Sequence, residues 1–109
     1  MLNEILEKVK KILNSIEIEY SDFKINILAL KPYEVYENYH KIYVYENLHD
    51  FFASCKDTKD YDELILKLDN DKGSILSLLY DFYLKDEYAS LTCFEDIIDM
   101  IEYYVSKRK

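Results

Sequence analysis

Leu2, Ile5, Leu6, Val9, Ile12, Leu13 and Ile16 recur at spacings of three and four, which predicts an amphipathic helix over residues 2–15. Glu4 and Glu7 stand early in it and Lys10 and Lys11 late, and both placements suit the helix dipole. From Ile16 the period shortens to two. Ile16, Ile18 and Tyr20 alternate with Glu17 and Glu19, and Phe23, Ile25, Ile27 and Ala29 alternate with Lys24 and Asn26. That alternation predicts two strands joined by a hairpin turn at Ser21-Asp22. The run INILAL at the end of the second is apolar on both sides, as in a central strand covered on two faces. In HKIYVYE, residues 40–46, Ile42 and Val44 alternate with Tyr43 and Tyr45, which predicts a third strand.

Lys31-Pro32 interrupts the pattern, and Tyr33, Tyr36 and Tyr39 follow at a spacing of three. They mark either a short helix opening at Pro32 or an irregular loop. Beyond the third strand the period is helical. Asn47 is a candidate cap for a helix burying Leu48, Phe51, Phe52 and Cys55. Asp60-x-x-Glu63 resembles a capping box ahead of Leu64, Ile65 and Leu68, which favours helix there over a strand through Leu64, Leu66 and Leu68. Asn70 to Gly73 is a turn, after which Ile75, Leu78, Leu79, Phe82 and Tyr83 share one helical face. Thr92-x-x-Glu95 is a second box, opening a last helix that turns Phe94, Ile97, Ile98, Ile101, Tyr104 and Val105 inward. Strands early and helices late predict an α+β fold: an N-terminal helix, a small antiparallel sheet of about three strands, then three to four helices packed on one face. With 109 residues, one glycine and one proline, residues 1–109 are expected to form a single globular domain.

Charge changes the picture more than composition does. The chain has 22 acidic and 14 basic residues, a net charge of −8. Residues 57–102 hold 13 of the acids against four lysines, whereas residues 1–56 hold nine against seven. Such a chain repels nucleic-acid phosphate and attracts a basic protein surface. It lacks an apolar stretch of the roughly 20 residues that span a bilayer. MLNEILEKVKK is not a secretory leader, and Cys55 and Cys93 read as buried core thiols of a reducing compartment, so the expected compartment is the cytoplasm of a bacterial or phage-infected cell.

The chemistry of the common enzyme classes is missing. One glycine excludes phosphate-binding and dinucleotide loops, and there is no GxSxG, HExxH or CxxC. Asp69-Asn70-Asp71-Lys72-Gly73 begins like an EF-hand, but its glycine comes one position early and no glutamate closes the loop. His40 and His49 are the only imidazoles, and His49 and Cys55 lie six apart on one expected helix, pointing in different directions. No catalytic residue, metal or cofactor is therefore expected.

Tyrosine is the remaining signal. Twelve of 109 residues are tyrosine, and Tyr33, Tyr36, Tyr39, Tyr43 and Tyr45 crowd into thirteen positions among Glu34, Glu37 and Glu46. Two or three of the five are expected to be exposed. Tyrosine buries a large area at low entropic cost and is enriched in interfaces. With Glu34, Glu37, Asp86, Glu87, Asp96 and Asp99 supplying attraction, the chain reads as a non-catalytic antagonist of a basic protein that handles nucleic acid. In small size, acidity and lack of catalytic motifs it resembles anti-CRISPR inhibitors of phage and the immunity proteins that neutralise nucleases. That resemblance is one of character over the whole chain, with no shared motif. It implies a nuclease or CRISPR effector as partner, with no direct contact to nucleic acid or membrane. The alternatives are an adaptor subunit with an apolar interface and an enzyme of unrecognised type using His40 or His49.

Overall fold

The computed structural model describes residues 2–85 and 93–108. Among these residues there is no strand: the chain runs α1 (Leu2–Leu28), α2 (Pro32–Glu37), α3 (Tyr39–Ser54), α4 (Asp62–Leu66), α5 (Ile75–Lys85) and α6 (Phe94–Arg108), with short 3-10 turns at Cys55–Asp57 and Asp69–Asp71. The expected α+β fold is thereby overturned. The three expected strands at 16–20, 23–29 and 40–46 are helix throughout, except for Ala29 in the turn that closes α1.

The reason lies in which residues find partners. In α1 the spacing of three and four does not stop at Ile16. Val9, Ile12, Leu13 and Ile16 are buried, and Tyr20 and Phe23 extend the same stripe against the core. The alternating residues Ile18 and Ile25 fall off that stripe and stay exposed. Ser21 and Asp22 lie on the outer side of the uninterrupted 27-residue helix and make no turn. α3 behaves alike: Val44, Tyr45, Leu48, Phe51 and Phe52 form its buried face, joined by Cys55 just beyond it. Asn47 is internal to α3, where its side-chain amide donates to the Tyr43 carbonyl at 2.8 Å, and it caps nothing. Tertiary burial along helical stripes thus overrides the local preference of β-branched residues for extended chain.

Residues 62–66 are helical, but the Asp60–Glu63 box does not form. The helix starts after Tyr61 without a side-chain cap, and the Asp60 N–H donates to Thr58 Oγ1 at 3.2 Å instead. The Thr92 box lies outside the described residues. Buried side chains from α1, α3, α4, α5 and α6 join in one cluster, in which Phe51 and Phe52 are the largest fully enclosed.

α1 also holds the start of α5 through polar contacts. Both carboxylate oxygens of Glu19 accept N–H bonds from the first turn of α5, from Leu76 at 2.8 Å and Ser77 at 2.9 Å, groups that have no partner within that helix. Burial pushes the Glu19 pKa up, opposed by those two donors. Just before α5, Gly73 adopts φ +93°, a conformation that favours glycine, and donates its N–H to Ser15 Oγ at 2.8 Å.

Between α1 and α3, His49 Nε2 lies 3.0 Å from both oxygens of Glu17, Lys56 Nζ lies 3.0 Å from one of them, and the Tyr20 ring stacks on the imidazole with centroids 4.0 Å apart. Partial burial pushes the Glu17 pKa up, but the hydrogen bonds and charges of His49 and Lys56 more than offset it and hold the carboxyl below its ordinary value of 4.5. A carboxyl depressed by folding stabilises the fold above its unfolded pKa, and that contribution fades as pH falls through the folded value. Glu17→Gln is expected to lower stability by about 0.5–1 kcal/mol at neutral pH. The two proteins should converge in urea midpoint as the solution is acidified below the ordinary carboxylate range. A constant gap at all pH values would show that the ion pairs contribute nothing.

Candidate functional site

The described residues measure 49 × 27 × 23 Å, and one end carries six of their twelve exposed large apolar side chains. That end is the last part of α1, all of α2 and the first turns of α3. α1 closes at Leu28, with Ala29 N–H bonding back to Ile25 and Asn26 and Leu30 N–H to Ile27. Lys31-Pro32 then redirects the chain into α2. Proline at the first helical position lacks only an N–H that would have no partner. Glu34 accepts the Lys31 N–H at 2.8 Å, and the Asn38 amide donates to the Glu34 carbonyl at 2.8 Å. These local bonds hold α2 in shape although it buries no residue.

The spacing of the tyrosines decides their exposure. Tyr33, Tyr36, Tyr39 and Tyr43 step by three and four along α2 and into α3, and all four face solvent, Tyr36 at 83%. This is more than the two or three expected. Tyr45 stands apart, 4% exposed, stacked on Phe23 with centroids 4.1 Å apart and edge-on to Tyr80. Burial raises its pKa, with Glu19, Asp81 and Tyr80 adding to the rise and a hydrogen bond to Ser77 opposing it. Tyr45 is therefore a core residue, unavailable to a partner.

The tip also has members that the alternating pattern concealed. Ile25 and Leu28 are exposed beside the tyrosines, Leu28 at 81%. A helical projection continued past Ile16 would have found them, because both miss the stripe that runs through Val9, Ile16, Tyr20 and Phe23. Charges across residues 22–43 are balanced: Asp22, Glu34 and Glu37 against Lys24, Lys31 and Lys41. Lys41 is turned inward, its ammonium 5.9, 5.5 and 5.7 Å from the ring centroids of Phe23, Tyr45 and Tyr80. On α2 itself Tyr33 and Tyr36 are thus accompanied by Glu34 and Glu37 alone.

The acidic candidates lie elsewhere. Tyr61 and Phe94 both pack on Phe51, each with centroids 5.5 Å away, so the acid-rich segments 57–63 and 95–102 meet near the far end of α3. Phe51 is twelve residues beyond Tyr39, about 18 Å along the helix at a rise of 1.5 Å per residue. Asp99 is exposed there and Asp96 half-buried, while Asp86 and Glu87 lie outside the described residues. The chain is therefore polar along its length, with a charge-balanced aromatic tip at one end and excess carboxylate at the other.

Both histidines and Cys55 are engaged or buried, whereas Cys93, expected in the core, is an exposed free thiol. His40 Nε2 is 3.3 Å from the Tyr83 hydroxyl, and His49 is held by Glu17. Cys55 is buried, and that burial pushes its thiol up to about 11, so it is protonated and a poor nucleophile near neutrality. Among the described residues no three His, Cys, Asp or Glu side chains converge as a metal site, and no helix is long and apolar enough to cross a membrane.

This architecture, a helical protein with a tyrosine-bearing tip, stands without a relative to interpret it: no family model, no curated protein and no solved structure matches the chain.

Proposed function

We propose that this chain is a small non-catalytic binding protein that docks through the α1–α2–α3 tip onto a partner protein with a basic surface. The observation that carries the reading is α2. A helix that buries nothing, yet bears Tyr33 and Tyr36 and is continued by Tyr39, gains little by folding unless a partner covers it. The net charge of −8, concentrated towards the other end, draws the chain to a basic partner and orients the approach. A nucleic-acid-handling enzyme such as a nuclease or CRISPR effector, whose cleft the chain would occupy in the cytoplasm of a bacterial or phage-infected cell, has the matching chemistry.

The test uses tagged wild type, the double variant Tyr36→Ser/Tyr39→Ser, and Asp99→Lys. Each is used to capture a partner from lysate at low and high salt, and the captured protein is then assayed for nucleic-acid binding. Wild type is expected to retain a basic protein at low salt and to suppress its nucleic-acid binding in proportion to the amount added. The tyrosine variant should weaken retention by about tenfold or more, as loss of interface anchors does. Asp99→Lys should slow association at low salt only. A captured partner that still binds nucleic acid normally would overturn the antagonist reading.

The balanced charge of the tip favours a second reading, an adaptor subunit with an apolar interface. It predicts retention through the same tyrosines that persists unchanged at high salt.

A further inference from the structure

Ile25, Leu28, Tyr33, Tyr36, Tyr39 and Tyr43 gather at the tip, each between 40% and 83% exposed. At about 200 Å² for a whole aromatic side chain and less for an aliphatic one, these exposures amount to roughly 700 Å² of side-chain surface. Monomeric proteins hold their largest apolar patch to about 300–600 Å², whereas one side of a stable interface takes about 800 Å². The tip therefore offers nearly the area that one partner contributes to a stable complex.

Charge selects among the occupants. The chain carries a net charge of −8, yet residues 22–43 are neutral. A second copy is repelled by the acidic body of the first but meets no net charge at its tip. The acid-rich segments that meet around Phe51 lie about 18 Å along α3 from Tyr39. In a tip-to-tip pair the two acidic ends stand more than about 30 Å apart, several times the Debye length of about 8 Å at physiological salt. A two-fold contact sets a patch against itself, so each tip presents Glu34 and Glu37 to the Lys24 and Lys31 of the other.

We propose that in the free protein the tip is covered by the tip of a second copy, in a two-fold dimer that buries Leu28, Tyr36 and Tyr39. This rests on the reading of the tip as a docking surface and adds how that surface is regulated. Self-pairing hides α2 until a partner competes for it, so only the dissociated fraction of the chain is competent to capture. The two contacts respond to salt in opposite senses. Salt screens the attraction of a basic partner, but it also screens the mutual repulsion of two acidic copies and so tightens the dimer.

Sedimentation equilibrium of the purified full chain over a range of loading concentrations, at low and high salt, reads the pairing directly. Wild type is expected to pass from monomer to dimer with a dissociation constant of about 10 μM or tighter, since interfaces of standard size span micromolar to picomolar affinity. The constant should fall at high salt. Leu28→Glu, at a position 81% exposed, brings like charges together and should weaken the dimer by about tenfold or more. Ile18→Ser, at an exposed position of α1 outside the tip, should leave it unchanged. Circular dichroism confirms that each variant is folded. A chain that stays monomeric throughout, a larger oligomer, a dimer that loosens at high salt, or one indifferent to Leu28→Glu would each overturn the self-pairing. A monomer that still captures a basic partner removes the second copy and leaves the docking surface standing. A dimer that captures nothing from lysate does the reverse.

Discussion

Phe51→Ala is expected to lower the stability of this protein by about 3–5 kcal/mol, the cost of deleting an enclosed aromatic ring and leaving a cavity. Phe51 is fully buried, and its ring touches Phe52 from α3, Tyr61 ahead of α4 and Phe94 from α6, at centroid distances of 5.3–5.5 Å. Removing it unpacks several elements at once, so little local collapse can refill the space. For a domain whose whole stability is on the order of 5–10 kcal/mol, that is a large fraction. The urea midpoint should fall by about 2 M, given the usual slope for a chain of this size. A fall of less than about 0.5 M would mean that the three-way aromatic contact does not form.

Ser21→Pro is expected to cost about 3 kcal/mol or more, because proline inside a helix removes the N–H bond to residue i−4 and its ring clashes with that carbonyl. Position 21 lies well within α1 and is exposed, so the penalty is one of backbone and not of lost packing. The control Ser21→Ala should be neutral or stabilising by a few tenths of a kcal/mol, since alanine is the better helix former. A hairpin turning at Ser21-Asp22 predicts the reverse ordering, with proline tolerated in the turn. The pair of variants, read by thermal melting, separates the two architectures. A Ser21→Pro protein as stable as wild type would overturn the continuous helix.

Several parts of the fold are legible in the residues. The spacing of Val9, Ile12, Leu13 and Ile16 marks the buried face of α1, and that of Ile75, Leu79 and Tyr83 marks α5. Leu48, Phe51, Phe52 and Cys55 mark the second half of α3, and Ile97, Ile101 and Val105 mark α6. Gly73 marks a turn that takes a positive φ. The tyrosine crowd at 33–45 is equally plain, and so is the short helix opening at Pro32, one of the two readings open for that stretch. The exposed aliphatic residues of the tip were hidden because INILAL reads like a strand buried on two faces. In the structure the same run is the sparsely covered end of a helix.

What the sequence alone determined is the set of residues able to be buried, the breaks at Lys31-Pro32 and Gly73, the acidity of the later half and the absence of familiar catalytic motifs. What only the tertiary structure decided is the period along which residues 16–29 and 40–46 are read. Ile16, Ile18 and Tyr20 satisfy a period of two as well as Val9, Ile16, Tyr20 and Phe23 satisfy the helical one. Local pattern cannot separate these, because each buries a comparable number of apolar side chains on one face. The choice falls to whichever face finds neighbours: α3 and α5 pack along the helical stripe of α1, and Glu19 and Ser15 on that helix bond to the backbone at the start of α5. The same packing buries Tyr45 and leaves Tyr33, Tyr36, Tyr39 and Tyr43 in solvent, a division set by the geometry of neighbouring helices and not by the identity of the residue.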